Sequence, residues 1–153
     1  HKYAAGLSIK EHNLKSFIDH FESYVKSAMQ NQMFTKTIGY DIEINLSEIN
    51  ESNFKILSRM SPFGLSNYKP IFRTNNCSGA GNIRLMGKEK THIKFEIKDS
   101  QDYKIQAIGF NMSEHYEQIN NKETFDILYT ISRNTFNNSA ATLELNLKSI
   151  SFK

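Results

Sequence analysis

The chain has 153 residues, of which 39% are hydrophobic and 23% are charged, and its net charge is +3. This is enough for one ordinary domain with an appendage, and the apolar content excludes a disordered tail. No apolar run approaches the roughly 20 residues of a membrane span. The single cysteine, Cys77, excludes an internal disulfide framework and a thiolate zinc site.

The first third of the chain predicts an amphipathic helix over residues 13–29. Its apolar residues recur at intervals of three and four, so they share one helix face. Residues 3–9 predict a short strand, and residues 30–37 read as a linker. We therefore expect a domain boundary after residue 37, with residues 1–37 and 38–153 as separate domains. The start at His1, without Met or a leader, predicts a fragment or a processed piece.

From residue 38 onward, apolar and polar residues alternate with a period of two, which is typical of half-buried strands. A strand over 38–46 and a short helix over 48–60 come first, and Pro62 and Gly64 end that helix. The remaining pattern predicts strands over 71–75, 83–87, 92–98, 104–110, 125–132 and 142–152, with one short helix over 112–119.

The last three strands before the second short helix, that helix and the two closing strands follow the order of an OB-fold, the five-stranded Greek-key barrel, with the earlier elements in front of it. The predicted fold is therefore mainly β with helices: an OB barrel preceded by an amphipathic helix and an extra strand–helix element. Another small β-barrel, or an α+β meander, fits the same pattern.

The positive charge is concentrated in one segment. Nine basic and two acidic residues lie between Lys55 and Lys98, a net charge of +7, which leaves −4 for the rest of the chain. Strand alternation directs His92 and Lys94 away from the apolar face, and it does the same for Arg84 on the preceding strand. Lys88 and Lys90 flank the turn between these two strands.

OB-folds bind oligonucleotides on the faces of strands 2 and 3 and on the loops joining strands 1–2 and 4–5. The predicted 4–5 loop, residues 133–140, offers Arg133, Phe136 and the amide of Asn137. A cation that neutralises phosphate and an aromatic ring that stacks on a base are what single-strand binding requires. Outward lysines also occur merely to solvate and protect strands, so this alternative stays open.

No catalytic site is predicted. The five histidines are scattered over unrelated elements, and no carboxylates complete a metal site with them. Cys77 has no histidine near it in the sequence, and the glycine-containing stretch 79–81 precedes a strand rather than a helix. We expect neither catalytic residues nor metal ligands in this chain.

Two motifs resemble the RecJ exonucleases. HKYAAGLSI at residues 1–9, followed by the amphipathic helix, is similar to the end of their DHH-associated domain, whose signature is Gly-Gly-His, a short spacer and Ala-Ala-Gly. SPFGLSNYKPIF at residues 61–72 is similar to the Pro-Phe-Gly-x-x-Asn-x-x-Pro-x-Phe segment leading into their OB domain. One departure is that residues 136–138 read Phe-Asn-Asn, where the family often has Trp-Asn-Gly.

The resemblance implies a cytoplasmic parent enzyme of DNA recombination and repair that hydrolyses single-stranded DNA from the 5′ end with Mn²⁺ or Mg²⁺. Because the DHH core is missing, this chain would hold substrate rather than cut it and would need no cofactor of its own. Residues 1–37 would end the DHH-associated domain, and residues 38–153 would form the OB domain. The residues implied to border the nuclease cleft are His1, Ala4, Ala5 and Gly6. The predicted nucleic-acid-binding residues are Arg59, Phe63, Gly64, Asn67, Arg73, Arg84, Lys88, Lys90, His92, Lys94, Arg133, Phe136 and Asn137.

Two other functions fit the same sequence. The OB face, or the segment over 41–53, would dock a helicase or a single-strand-binding protein in a protein-interaction module. An RNA-binding OB domain is the other alternative.

Overall fold

The computed structural model describes residues 4–29, 37–134 and 142–153. The chain divides into two compact units, residues 1–37 and 38–153, and each is described by itself. The division falls where the hydrophobic period changes. Across the described ranges, no helix has both the length and the apolar character needed to cross a membrane.

The first unit contains one helix, α1 (Leu14–Ala28), which follows a 3-10 turn over Glu11–Asn13. Phe17 and Phe21 stack one helical turn apart, with ring centroids separated by 5.6 Å. The predicted helix is therefore present. Residues 4–10 have no regular structure, so the strand predicted over 3–9 is absent from its described part.

The second unit begins with a short appendage to the barrel. Strand β1 (Ile42–Glu43) pairs in parallel with the start of β2 (Phe72–Met86), and it is much shorter than the strand predicted over 38–46. It ends early because Asn45 and Glu48 cap a 3-10 turn over Leu46–Glu48. Helix α2 (Glu51–Ser58) follows, and the Asn50 side chain accepts a hydrogen bond from the Asn53 N–H at its start.

Five strands close into a barrel, which confirms the predicted OB architecture. The first barrel strand is β2, and the others are β3 (His92–Lys98), β4 (Lys104–Gly109), β5 (Phe125–Asn134) and β6 (Thr142–Phe152). The hydrogen-bonded order is β2-β3-β4-β6-β5, and β5 pairs again with β2. The pair β4–β6 is parallel, whereas the other pairs within the barrel are antiparallel. A 3-10 turn (Ser113–His115) and helix α3 (Tyr116–Asn120) connect β4 to β5.

Strand β2 belongs to both sides of the barrel. Its first half pairs with β5 and its second half pairs with β3, so the strands predicted over 71–75 and 83–87 are two parts of one bent strand. The bend occurs at register shifts around Gly79, Gly81 and Arg84. Gly81 and Asn82 have φ of +128° and +53° there, which glycine and asparagine adopt more readily than other residues.

The core consists of the inward residues of the barrel strands. Tyr129 is fully buried, and its hydroxyl lies 2.9 Å from the Thr74 Oγ1, which donates to the carbonyl of Ile44. Burial raises the pKa of Tyr129, because the phenolate would lose its hydration inside the barrel. The largest fully buried side chains are those of Tyr129, Phe95, Phe125, Leu46, Ile93, Ile97, Ile119, Ile127, Leu145 and Cys77.

Helix α3 lies against β2 at Gly79. A Cβ atom at this position would come within 2.9 Å of both the carbonyl oxygen and the Cγ2 of Ile119. Ile119 is itself fully buried, and a backbone oxygen has little freedom to move away. Residue 79 therefore has to be glycine for the helix to pack this closely.

We predict that Gly79→Ala lowers the free energy of unfolding by about 1–3 kcal/mol, because the added methyl group overpacks the contact with α3. Urea unfolding measures the change. Gly64→Ala is the matched control, since a Cβ at Gly64 meets nothing within 4 Å. Equal midpoints for the two variants would show that α3 does not press on β2.

Asp126 on β5 connects the first half of β2 with Lys153, just after β6. Its carboxylate accepts hydrogen bonds from the Asn76 N–H at 3.0 Å and from Arg73 at 3.1 Å, and Lys153 lies 3.3 Å away. Partial burial alone would raise the pKa of Asp126. The bonds from Asn76, Arg73 and Lys153 outweigh this effect, so the net result is a lowered pKa.

We predict that Asp126→Asn costs about 1–3 kcal/mol of stability at pH 7, as for other hydrogen bonds to charged groups. A carboxyl group whose pKa is lower in the folded state stabilises the fold above its unfolded pKa of about 3.9, and this contribution disappears as the pH falls through the folded pKa. The difference from wild type should therefore shrink between pH 7 and pH 3, as measured by urea unfolding. A constant difference would contradict this explanation. The exposed Glu117 provides the control, since Glu117→Gln should change stability by less than about 0.5 kcal/mol.

Candidate nucleic-acid interface

A polar cavity of about 380 Å³ opens on the outer face of the barrel, where β2 bends over β3 and β4. Its lining residues are Asn82, Ile83, Arg84 and Gln106. The bend creates it: between the pairs Gly81–Glu96 and Arg84–Lys94, β2 has one more residue than β3. No carboxylate from the described ranges is among the lining residues. The cavity therefore offers amide groups and one guanidinium group to a ligand.

Three unpaired cations lie at the end of β2 and in the turn that follows it, and we call them the edge cations: Arg84, which lines the cavity, Lys88 and Lys90. All three are exposed, and none forms an ion pair within the part of the chain that the structure describes. Lys88 and Lys90 are presented by the tight turn from β2 to β3, in which the Lys90 N–H donates to the carbonyl of Gly87 at 3.1 Å. Gly87 has a φ of +86°, and Lys90 has a φ of +53°.

His92 supports the turn from β2 to β3. Its Nδ1 accepts a hydrogen bond from the Asn111 N–H at 3.1 Å, and its ring makes an edge contact with Phe110 at a centroid distance of 5.2 Å. A Cβ at Gly87 would lie 3.3 Å from the His92 ring. These contacts give His92, one of the predicted binding residues, a structural part in the turn.

Several predicted cations are neutralised by carboxylates. Lys94 points outward as expected, but it forms an ion pair with Glu144, and the two side chains are only 12% and 10% exposed. It is therefore not the freely exposed cation that strand alternation predicts. Arg73 pairs with Asp126 at 3.1 Å and lies over the ring of Tyr40. Arg133 pairs with Glu51 and lies over the ring of Phe54.

The Pro-Phe-Gly segment forms a turn that its own asparagine holds together. The Asn67 Nδ2 donates to the carbonyls of Met60 and Pro62, both at 2.9 Å, and the backbones of Gly64 and Asn67 pair with each other. The amide of Asn67 is thus used within the turn. Phe63 is half-buried, and Arg59 lies exposed just after α2. None of these residues lines the polar cavity.

Six predicted site residues lie outside the described residues or in the first unit. His1, Phe136 and Asn137 lie outside the described residues. Ala4, Ala5 and Gly6 are exposed members of the first unit, and their place at a nuclease cleft remains a prediction.

Asn82 and Gln106 are the polar lining residues that the sequence analysis missed. Gln106 occupies an outward position on β4, where its pairing partner Glu96 on β3 is also outward. The glycines at 79 and 81 could have indicated a bulge next to Asn82, since isolated glycines inside a strand pattern mark bulges.

Cys77 and clusters of metal-ligating side chains are the groups that the sequence analysis considered for catalysis. Cys77 is fully buried, and burial together with the nearby Asp99 and Asp126 raises the pKa of its thiol to about 12. The reactive thiolate is therefore not formed at neutral pH. Among residues 4–29, 37–134 and 142–153, no group of three His, Cys, Asp or Glu side chains is placed to hold a metal ion. The described residues thus do not fit the Mn²⁺ or Mg²⁺ that the resemblance implies for a parent enzyme.

The closed barrel, the parallel β4–β6 pair and the helix between β4 and β5 define an OB-fold protein with a polar outer face. The model of the RecJ OB domain family matches residues 40–149. The chain therefore belongs to the RecJ OB domain family.

Two relatives agree with this assignment. The single-stranded-DNA-specific exonuclease RecJ of Bacillus subtilis (strain 168) is 25% identical over 138 residues, which are 90% of this chain and 17% of that protein. The crystal structure of RecJ in complex with Mn²⁺ from Thermus thermophilus superposes with a TM-score of 0.65 at 15% identity, over 97% of this chain and 20% of that one. The chain thus spans about a fifth of the length of the relatives it matches, and the structural likeness concerns the fold.

We predict that Asn67→Ala lowers the free energy of unfolding by about 1–2 kcal/mol, because two carbonyls lose their donor. Thermal and urea unfolding measure this loss. Leu65→Ala in the same turn is the control, since the Leu65 side chain is 89% exposed and its truncation should have little effect. A smaller effect for Asn67→Ala than for Leu65→Ala would show that the amide does not hold the turn.

Proposed function

We propose that this chain binds single-stranded DNA as the OB region of a RecJ-type exonuclease, and that it holds the strand without cutting it. The observation that carries the proposal is the carboxylate-free cavity on the outer face of β2–β4, which Arg84 lines, together with the exposed Lys88 and Lys90 in the turn that follows β2. This face corresponds to the ligand-binding face of other OB-folds. Membership of the RecJ OB domain family supports DNA as the ligand.

The chemistry of this face suits single-stranded DNA that is bound without recognition of its base sequence. Arg84, Lys88 and Lys90 are separate, hydrated cations, which contact phosphates and release counterions when they do so. Asn82 and Gln106 offer amide donors and acceptors to bases or sugars in the cavity. Because the backbone contacts dominate, we expect weak sequence preference and a strong dependence on salt.

We predict that the chain binds a fluorescein-labelled oligothymidylate, and that the affinity falls about 20-fold between 50 and 200 mM KCl. This fall corresponds to three phosphate contacts with a slope of about −0.7 each. Fluorescence anisotropy measures it, with a duplex of equal length and a single-stranded RNA as competitors. A flat salt dependence, or equal affinity for duplex and single strand, would contradict the proposal.

The combined substitution Arg84→Glu and Lys88→Glu should lower the affinity at least tenfold, because it reverses two of the three edge cations. Lys55→Glu and Lys122→Glu together give the matched control: both residues are exposed cations, on α2 and just after α3, and neither lines the cavity. Equal losses for the two double variants would show that the DNA does not follow the edge cations.

The wider part of the proposal concerns a parent protein that contains this chain. We propose that it hydrolyses single-stranded DNA from the 5′ end with Mn²⁺ or Mg²⁺, in the cytoplasm during recombination and repair. A DHH core, and not the described residues, would carry out this hydrolysis. Residues 1–37 would then represent the end of the DHH-associated domain, with Ala4, Ala5 and Gly6 at the cleft border.

Protein binding is the second candidate, and one observation favours it. An open cavity of about 270 Å³ between α2 and the barrel is lined mainly by apolar side chains, among them Phe54, Leu57 and Met60. A pull-down with and without nuclease treatment tests this candidate. A helicase or a single-strand-binding protein held by such a surface would stay bound after the treatment, whereas partners bridged by DNA would be lost. Stronger competition by RNA than by DNA in the anisotropy assay would instead favour the RNA-binding alternative.

A further inference from the structure

Lys94 and Glu144 occupy the middle of the proposed DNA-binding face. In the strand register, Lys94 on β3 lies opposite Arg84 of β2, which lines the polar cavity, and opposite Ile108 of β4 on its other side. Glu144 on β6 lies opposite Gln106 of β4, which also lines the cavity. The ion pair therefore crosses β4 directly beside the proposed path of the strand.

The carboxylate of this pair is fixed in place. The Asn134 Nδ2 donates to the Glu144 Oε2 at 3.2 Å, and the Ser132 hydroxyl contacts the Glu144 carbonyl at 3.4 Å. Asn146 in turn donates to the Ser132 Oγ at 2.7 Å. A polar network thus runs from β3 over β4 to β6 and to the end of β5, and it holds Glu144 against Lys94.

A phosphate would have to compete with Glu144 for the ammonium group of Lys94. Both side chains are about nine-tenths covered, so their attraction is only weakly screened by water or salt. Removing Lys94 from the pair would leave the carboxylate covered and uncompensated, which is costly. A phosphate at this position would also face the negative charge of Glu144. Replacing Glu144 with a phosphate as the partner of Lys94 is therefore unfavourable.

We propose that Glu144 is a built-in counter-ion that withdraws Lys94 from DNA binding and confines the phosphates to the edge cations. The inference rests on the proposed single-strand binding. It assigns to Glu144 a positioning role, because the residue acts through Lys94 and sets both the strength of binding and the path of the backbone.

The test uses four proteins in the anisotropy assay: wild type, Glu144→Gln, Glu144→Gln combined with Lys94→Met, and Glu96→Gln. The Glu144→Gln variant frees Lys94, so we expect at least a threefold gain in affinity and a salt slope steeper by about 0.7. The double variant removes the pair without changing the net charge, and we expect affinity within twofold of wild type and an unchanged slope.

Glu96→Gln is the matched control. Glu96 lies on the same face, paired with Gln106, and it has no ion pair or hydrogen bond to a described residue through its side chain. Its substitution removes the same charge without releasing a lysine, so the salt slope should not change. A double variant that weakens binding fivefold with a shallower slope would overturn the inference, as would a Glu144→Gln protein with wild-type affinity and slope. Circular dichroism and thermal unfolding establish that each variant is folded.

Acetylation with a water-soluble N-hydroxysuccinimide ester tests the masking of Lys94 without DNA. Mass spectrometry should find Lys88 modified at least tenfold faster than Lys94 in wild type, with the Lys94 rate rising severalfold in Glu144→Gln. Equal rates for Lys88 and Lys94 in wild type would overturn the masking. A masked Lys94 in a protein that binds no single-stranded DNA would contradict the proposed function instead, so the two failures are distinguishable.

Discussion

The barrel depends on one strand that pairs with two different neighbours. Strand β2 reaches β5 with its first half and β3 with its second half, and without this double pairing the sheet would stay open. A strand of fifteen residues can follow both neighbours only if it bends strongly. The bulges around Gly81 supply the bend, and the conformations of Gly81 and Asn82 make it possible. The same bulge opens the polar cavity, so closure of the fold and formation of the site have one origin.

The electrostatic character of the site comes from pairing rather than from the number of basic residues. The segment from Lys55 to Lys98 carries +7, yet Arg73, Lys94 and Lys98 in that segment are each bound to a carboxylate. The partners of Arg73 and Lys94 come from distant parts of the chain. What remains on the outer face is a short row of cations at the end of β2 and in the turn that follows. A ligand would meet this row and not the average charge of the segment.

Much of the fold follows from local patterns in the sequence. The alternation of Phe125, Ile127 and Tyr129 defines an inward strand face without reference to anything else, and the order of the elements then favours the OB barrel. The bend of β2 was missed because its middle lacks alternating large apolar residues. For the site, position along a strand predicted that Arg84 and Lys94 point outward. It could not reveal that Glu144, fifty residues away, lies against Lys94, since such a contact depends on the order of strands and on packing. The use of the Asn67 amide within its own turn was hidden in the same way.

Asp99 links the barrel to the appendage that precedes β2. The buried Asp99 carboxylate accepts one hydrogen bond from the Leu46 N–H at 3.0 Å and two from the backbone of its own turn between β3 and β4. Leu46 and Ile49 also contribute their side chains to the core. Truncation to the five barrel strands would therefore expose core side chains and leave a buried carboxylate with one donor fewer. We therefore expect the folding unit to include the residues before β2, in agreement with a family match that starts at residue 40.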